Sequence, residues 1–217
     1  MSSRPPSNAA IGPKRGSAKS KLIDAAHGVI RRQGYAGTSV DDLCKAAGVT
    51  KGAFFHYFAS KEALAVTGAE QWTTRAQELI FTLPPWTRIE DPLERLIAHI
   101  DFRLAMIDGP VEEFTCFVGT MVQESFATND AIRVACDASI TAYAERLALD
   151  IQPAIDRYGI CFDTTAIALA YHFQAVLQGA FIMAKAKGDP AIARDSVTHL
   201  KRYVAMLFGE KESSNVR

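Results

Sequence analysis

Residues 48–58 read GVTKGAFFHYF, an aromatic run that directly follows a Thr-Lys-Gly sequence. Phe54 and Phe58 are four residues apart, so on a helix they share one face, and we expect that face to pack against neighbouring helices. Four other residues lie on the opposite stripe of the same helix: Gly52, Ala53, His56 and Tyr57. The run therefore predicts a short helix with a core side and an exposed side, where small residues permit another surface to come close.

Two short helices are predicted over residues 39–47 and 50–58, joined by the turn Ala47-Gly48-Val49. Thr38 or Ser39 is expected to cap the first helix, since aspartates follow three residues later at the spacing of a capping box. A glycine between two short helices is typical of a helix–turn–helix, in which the second helix enters the major groove of DNA. The sequence thus predicts a DNA-binding head in the first third of the chain.

The rest of the chain is predicted to be helical as well. Apolar residues recur at helical spacing between breaks formed by Gly, Pro or Asn, and the sequence shows little of the alternation typical of strands. Besides the two short helices, the predicted helices cover residues 18–33, 60–81, 91–108, 111–127, 129–158, 163–187 and 190–208. We therefore expect an all-α protein, with an N-terminal three-helix DNA-binding domain and a larger C-terminal helical domain.

Charge is distributed unevenly along the chain, although the 217 residues sum to a formal net charge of zero. Residues 1–58 hold nine basic and three acidic side chains, a net charge of +6, so the remainder carries −6. A basic head on an acidic body is the asymmetry expected of a nucleic-acid-binding protein. The basic residues that precede the helix–turn–helix either reach the DNA backbone or minor groove, or stay solvated: Lys14, Arg15, Lys19 and Lys21.

The four cysteines, Cys44, Cys116, Cys136 and Cys161, show neither a CxxC pair nor the spacing of metal ligands. We interpret them as reduced thiols of a cytoplasmic protein, and we expect neither a metal nor a cofactor. Residues 1–16 contain Ser, Pro, Gly and basic residues without an apolar stretch. They are therefore predicted to be a disordered basic tail and not a secretory signal.

Residues 164–184 carry no charged side chain, and the stretch is long enough to raise the question of a membrane span. However, His172, Gln174 and Gln178 interrupt it, and the sequence contains no second stretch of this kind. A helix buried at a subunit interface is the better interpretation. We expect no association with a membrane.

The segment GYAGTSVDDLCKAAGVTKGAFFHYFASKEAL, residues 34–64, resembles the DNA-binding signature of the TetR-type transcriptional regulators. The resemblance lies in the Gly-Tyr turn, the Thr-Ser pair that opens the next helix, the Ala-Gly-Val turn, and the aromatic-His-Tyr-Phe run followed by Ser-Lys-Glu. It covers about residues 18–66, and beyond them the chain is similar to the family in its helix plan. Phe55 departs from the pattern, because many members carry a tyrosine there, and we expect Phe55 to serve packing alone.

The resemblance implies that the chain binds a palindromic operator in double-stranded DNA. The residues it assigns to DNA are Thr38, Ser39 and Lys61 on phosphate, Thr50, Lys51, Gly52 and Ala53 on base edges, and His56 and Tyr57 on bases or backbone. It also divides the chain into a tail over residues 1–16, a DNA-binding domain over residues 17–62, and an effector-binding and dimerisation domain over residues 63–210.

The resemblance further implies that the larger domain encloses a small-molecule pocket, and that its last two helices pair with a second subunit. The candidate pocket residues are Trp72, Phe102, Met106, Cys116, Phe117, Met121, Tyr143, His172 and Phe173. For each of them an ordinary place in the core is the alternative. For His172, with Gln174 and Gln178, a hydrogen-bond network at the dimer interface is a further alternative.

The function predicted from these features is a dimeric, ligand-responsive regulator, a repressor that a small effector releases from its operator. The sequence contains no GxSxG, HExxH, GxGxxG or P-loop motif, so no enzyme is expected. Activation in place of repression stays open, and so does a DNA-binding or architectural protein without an effector.

A redox or electrophile sensor acting through Cys116 is another alternative. The surrounding segment is similar to the region of electrophile-responsive family members that carries a sensing cysteine. A helix N-terminus makes a thiol more acidic and more nucleophilic, but Glu112 and Glu113 oppose that effect.

Overall fold

The computed structural model describes residues 16–160 and 163–209, and every regular element in these ranges is a helix. In chain order they are α1 (Ala18–Gln33), α2 (Val40–Ala47), α3 (Lys51–Tyr57), α4 (Lys61–Phe81), a 3-10 helix (Pro85–Arg88), α5 (Pro92–Ala105), α6 (Val111–Phe114), α7 (Phe117–Ser125), α8 (Asp130–Tyr158), α9 (Ala166–Lys187) and α10 (Ala191–Leu207). The predicted all-α class is confirmed. Residues 1–15 of the predicted tail, and Cys161, lie outside the described residues.

Local side-chain chemistry sets the ends of the short helices, as the sequence predicts. Ser39 caps α2 and forms a complete capping box with Asp42. Thr50 caps α3, where its hydroxyl accepts a hydrogen bond from the N–H of Ala53 at 3.1 Å. Between the two helices Gly48 adopts the left-handed conformation, with φ 63° and ψ 41°, which glycine takes at little cost. The tight turn of the helix–turn–helix follows from these three groups.

One predicted helix is wrong. The segment over residues 111–127 forms two helices, α6 and α7, with Thr115 and Cys116 between them. Arg31 of α1 donates hydrogen bonds to the carbonyls of Glu113 at 2.8 Å and Thr115 at 3.4 Å. These carbonyls therefore have a partner outside their own segment, and Cys116 is extended and begins a new helix as its N-cap.

Contacts divide the described residues into two compact units. The head unit comprises residues 16–78 and 112–142, and the body unit comprises residues 79–111, 143–160 and 163–209. The division falls inside α4, inside the short α6 and inside α8. The domains expected over residues 17–62 and 63–210 are a different partition, based on function, and stay a prediction.

The core of the head unit holds the helix–turn–helix. Phe54 of α3 is fully buried, and Phe58 just beyond α3 is 4% exposed. They belong to one cluster with apolar residues of α1, α2 and α4, and with Phe117 and Met121 of α7, which are themselves fully buried. The short helix α3 thus takes its place from tertiary packing, since seven residues make too few backbone bonds to be stable alone.

In the body unit α9 and α10 pack along each other, and α5 packs against α10. Lys201 of α10 pairs with the carboxylate of Asp101 on α5 at 2.7 Å, and Arg194 donates to the carbonyl of Ile107 at 2.6 Å. Among the described residues α9 is the single helix whose length and composition would suit a membrane span, and 44% of its most apolar window is buried. One such helix is weak grounds for a membrane span, because core helices have the same composition.

Candidate nucleic-acid interface

The aromatic run of α3 divides by face. Phe54 and Phe58 lie in the core, as predicted, while His56 and Tyr57 lie on the exposed side, with Tyr57 41% exposed. Their rings contact each other edge to face, with centroids 4.7 Å apart. Phe55 does not match its predicted role as a pure packing residue, because it is 56% exposed, although its ring contacts that of Phe54 edge to face. Position 55 falls beside the exposed stripe, and it lacks a hydroxyl that could donate to phosphate.

Gly52 and Ala53 lie at the start of α3, next to the exposed rings. A Cβ added at Gly52 would meet a single neighbour, the Thr50 hydroxyl oxygen at 3.8 Å, so this backbone faces open space. Lys51 forms a 2.8 Å ion pair with Asp41 of α2, and this hydrogen bond raises the pKa of Lys51. Both partners are exposed, so the lysine ammonium can exchange the carboxylate for another anion at small cost.

Two residues predicted to contact phosphate, Thr38 and Ser39, are engaged within the head. The Thr38 hydroxyl donates to the carbonyl of Gly34 at 2.6 Å, and the residue is 1% exposed. The Thr38 side chain therefore has no exposed group that could make the predicted contact with phosphate. Ser39 serves as the N-cap of α2, where its hydroxyl is shared between the N–H and the carboxylate of Asp42. The hydrogen bonds of Asp42 to Ser39 lower the pKa of that carboxyl.

Lys61, the third predicted phosphate ligand, makes two hydrogen bonds inside the head. Its ammonium donates to the carbonyls of Tyr35 and Thr38, both at 2.8 Å, and lies 4.2 Å from the centre of the Tyr35 ring. Burial lowers the pKa of Lys61. Lys61 therefore joins the start of α4 to the segment between α1 and α2, which positions the N-terminus of α2. Sequence reasoning missed this role, because the partners lie more than twenty residues away.

The predicted pocket residues fall into the two units. In the head unit Phe117 and Met121 belong to the core, and the partly buried Trp72 and Cys116 pack against it. The others lie in the body unit: Phe102, Met106, Tyr143, His172 and Phe173. Phe173 is 1% exposed, whereas His172 is exposed and its ring contacts that of Tyr203, with the ring centroids 5.1 Å apart.

The structure assembles a different polar cluster in the body unit, around His99. His99 is 1% exposed, its Nε2 lies 3.1 Å from the hydroxyl of Tyr143, and its ring contacts Phe81 and Trp86. Of these residues the sequence prediction included Tyr143 alone. The available signal was the placement of His99 and Arg103 four apart on one predicted helix. Among the described residues no group of three His, Cys, Asp or Glu is arranged to hold a metal ion.

Profiles of known families match two parts of the chain. The profile of the bacterial regulatory proteins, tetR family, matches residues 22–66, and that of the Tetracyclin repressor-like C-terminal domain matches residues 92–200. The transcriptional regulator AcuR of Cereibacter sphaeroides is 28% identical over 182 residues, which cover 80% of this chain and 78% of AcuR. The HTH-type transcriptional regulator CymR of Pseudomonas putida is 45% identical over 69 residues, 30% of this chain and 34% of CymR.

A solved structure shows the same fold. The crystal structure of a TetR-family transcriptional regulator from Agrobacterium tumefaciens aligns with a TM-score of 0.74 and 24% identity, covering 86% of this chain and 96% of that one. The first profile spans the whole helix–turn–helix, and the second spans half of the chain. The chain belongs to the TetR family of transcriptional regulators and carries its DNA-binding helix–turn–helix.

Proposed function

We propose that this chain is a homodimeric repressor that binds a palindromic operator through α3 and is released from it by a small-molecule effector. The observation that carries the proposal is the exposed stripe of α3. Gly52 has no side chain, so its backbone is accessible, and His56 and Tyr57 are exposed beside it. Phe54 and Phe58 are buried and hold the helix against the core. A polar and aromatic stripe around a glycine suits a close approach to base edges in the major groove.

The N-terminus of α3 adds an electrostatic contribution. The first turn of α3 contains no acidic residue, and Lys51 is its first residue. Free N–H groups at a helix start and a nearby ammonium both favour phosphate. Within this proposal Ser39 lies at the adjacent sugar-phosphate backbone of the DNA. The operator itself is contacted by six residues at and within α3: Thr50, Lys51, Gly52, Ala53, His56 and Tyr57.

One face of α9 supports the homodimer. The exposed Lys185 and Lys187 follow only in its last turn. Over residues 167–183 its exposed residues carry no carboxylate, ammonium or guanidinium: Ile167, Ala168, Tyr171, His172, Ala175, Ile182 and Met183. An uncharged helix face of this length left in water is unfavourable, and the same face of a second copy would cover it around a two-fold axis. Two heads related by that axis would read the two halves of a palindrome.

Contacts inside the head unit support release by an effector. Arg31 joins α1 to the α6–α7 break, and Glu124 at the end of α7 accepts a hydrogen bond from the N–H of Ala36, between α1 and α2. A ligand that favours another position of α6 and α7 would act on the helix–turn–helix through both contacts. The match to the Tetracyclin repressor-like domain supports repression over activation.

A DNA footprint upstream of the chain's own gene and its neighbours tests the proposal. We expect a protected inverted repeat whose protection is lost with the effector; the absence of any such repeat overturns the proposal. Tyr57→Ala and Lys51→Ala should each weaken protection, whereas Lys187→Ala, an exposed lysine at the end of α9, should not. Ala175→Arg should give a folded monomer in sedimentation and abolish the footprint.

A sensor acting through Cys116 is a second candidate, and one observation favours it. Cys116 is the N-cap of α7, where its Sγ accepts the N–H of Gly119 at 3.4 Å, and it is partly exposed. Cys44 and Cys136 are buried, and burial raises the pKa of Cys136 to about 12. Cys116→Ser preserves a good N-cap, so oxidant-induced release from DNA should vanish without loss of stability. Unchanged release in this variant dismisses the sensor.

A further inference from the structure

In the body unit, some polar atoms are buried and have no hydrogen-bond partner among the described residues. The indole Nε1 of Trp86, the Nδ1 of His99 and the Nε of Arg103 are all hidden from solvent without a hydrogen bond. Trp86 is 6% and His99 1% exposed as whole residues. Buried polar atoms in proteins nearly always have partners, so three orphans near one another indicate a missing group.

These atoms belong to side chains in mutual contact, which we call the His99 cluster: Phe81, Trp86, His99, Arg103, Tyr143 and Arg146. The His99 ring packs edge to face on Trp86 at 4.8 Å, and its Nε2 lies 3.1 Å from the Tyr143 hydroxyl. The guanidinium of Arg103 lies 5.7 Å from the centre of the Tyr143 ring. The orphaned atoms are thus framed by aromatic rings from α4, the 3-10 helix, α5 and α8.

Charge in this region is unbalanced. Asp150, which is 8% exposed, serves both Arg146 at 2.9 Å and Arg95 at 3.3 Å. Within the described residues no carboxylate pairs with Arg103. Burial, and then the charges of Arg103 and Arg146, lower the pKa of His99 to about 3, so this imidazole is neutral at pH 7. The cluster therefore holds more positive charge than negative charge in a mostly apolar surrounding.

The missing group must accept hydrogen bonds. An indole N–H and a guanidinium N–H are donors only, in every protonation state that proteins reach. A neutral ligand could accept from them but would leave the Arg103 charge uncompensated. A phosphate dianion would bring more charge than one free guanidinium balances, at a high desolvation cost. A single carboxylate provides two acceptor oxygens and one negative charge.

We propose that the His99 cluster binds a small organic acid, with its carboxylate at Arg103 and Trp86 and its apolar part against the rings of Phe81 and Tyr143. The proposal rests on the effector-responsive function proposed above, for which it names the chemical class of the effector. The Arg103 guanidinium balances the charge of the carboxylate, and a hydrogen bond from the Trp86 N–H orients it. The surrounding aromatic rings favour a ligand whose apolar part is flat or short.

Binding to the full-length protein without DNA tests this site directly. Benzoate, cyclohexanecarboxylate and butyrate are titrated by calorimetry, with benzamide as the uncharged analogue of benzoate. We expect at least one carboxylate to bind, and benzamide to bind about 10- to 100-fold more weakly than benzoate, since it lacks the charge.

Three variants sharpen the result. Trp86→Phe replaces the indole by a smaller aromatic ring that has no N–H, so affinity for the bound carboxylate should fall about tenfold. Arg103→Met keeps the apolar stem and removes the charge, and it should cost about 10- to 100-fold. Arg133→Met, an exposed arginine of α8 that pairs with Asp130, should bind as the unchanged chain does. If Arg103→Met does not fold, Trp86→Phe alone decides.

Several outcomes overturn the site. These are equal binding of benzoate and benzamide, unaltered affinity in Trp86→Phe, or no binding of any of the carboxylates at millimolar concentration. In the last case an internal water partners the orphaned atoms.

Failure of the site and failure of the repressor function differ in their readouts. A carboxylate that binds without releasing the operator contradicts the function, and an uncharged effector that releases it contradicts the site.

Discussion

The carboxylate of Glu124 accepts a 2.8 Å hydrogen bond from the backbone N–H of Ala36. Ala36 lies in the turn between α1 and α2, and Glu124 lies in the last turn of α7. Gly34 leaves room for this carboxylate because it has no side chain. Its φ is +84°, and a Cβ at this position would stand 2.3 Å from Glu124 Oε1. The hydrogen bond thereby joins the helix–turn–helix to a residue that lies 88 positions further along the chain.

Glu124→Ala should lower the free energy of unfolding by about 1 kcal/mol, because an exposed charged hydrogen bond to the turn is lost. Urea denaturation measures the change. Gln123→Ala is the matched control, since Gln123 bonds only the Gly119 carbonyl of its own helix, and it should change stability by less than about 0.5 kcal/mol. Gly34→Ala should cost less in the Glu124→Ala background than in the unchanged chain, because the clash with the carboxylate is then absent. Additive costs would contradict the contact.

Lys61→Met should lower the free energy of unfolding by about 1–3 kcal/mol, because the carbonyls of Tyr35 and Thr38 lose their shared donor. The salt dependence of operator binding separates this role from the phosphate contact implied by the family resemblance. We expect the slope of log affinity against log salt to stay unchanged in Lys61→Met. Lys51→Met is the comparison, and there the slope should decrease by about 0.9 if the ammonium reaches phosphate. A reduced slope in Lys61→Met would restore Lys61 as a phosphate ligand.

Gly52→Ala should leave the fold intact and still weaken operator binding. The added methyl meets only the Thr50 hydroxyl at 3.8 Å, so stability should be kept or slightly raised. At a closely approached base edge the same methyl should cost about 1–3 kcal/mol of affinity. Gly28→Ala is the matched control, since a Cβ on this α1 glycine meets no atom within 4 Å and Gly28 lies outside the proposed interface. Equal operator affinity in both variants would remove Gly52 from the interface.

The sequence predicted those parts of the molecule that depend on neighbours along the chain. The bounds of α1, the capping box of Ser39 and Asp42, the turn at Gly48 and the start of α3 after Thr50 all follow from side chains within four residues. The separation of Phe54 and Phe58 from His56 and Tyr57 followed equally from helical period.

Roles that depend on distant partners were missed. The ammonium of Lys61 was expected on phosphate, yet its acceptors are 26 and 23 residues away in the chain. The break at Thr115 and Cys116 depends on Arg31, more than eighty residues earlier. The pairing of His99 with Tyr143 spans 44 residues. Periodicity places such residues on a face, but one sequence without related sequences does not say which faces meet.

His27→Gln should make the stability of the protein less sensitive to acid. His27 is 2% exposed and its Nε2 donates to the carbonyl of Gly68 at 2.8 Å. Burial, opposed by that hydrogen bond and aided by Arg75 and Arg31, lowers its pKa from 6.5 to about 4. Below pH 6.5 the unfolded chain therefore binds a proton that the folded chain does not. Stability should fall as the pH drops from about 6.5 to about 4, and His27 should not affect the pH dependence above 6.5.

The loss attributable to His27 is about 3 kcal/mol over this range, because each unit of pKa difference corresponds to about 1.4 kcal/mol. Glutamine can keep the hydrogen bond to the Gly68 carbonyl but does not titrate, so urea denaturation between pH 7 and pH 4 should show a shallower decline in His27→Gln. His99 titrates in both proteins and cancels in the comparison. His56→Gln, on the exposed side of α3, should follow the unchanged chain. Parallel declines for His27→Gln and the unchanged chain would show that His27 is protonated in the folded state as readily as in the unfolded one.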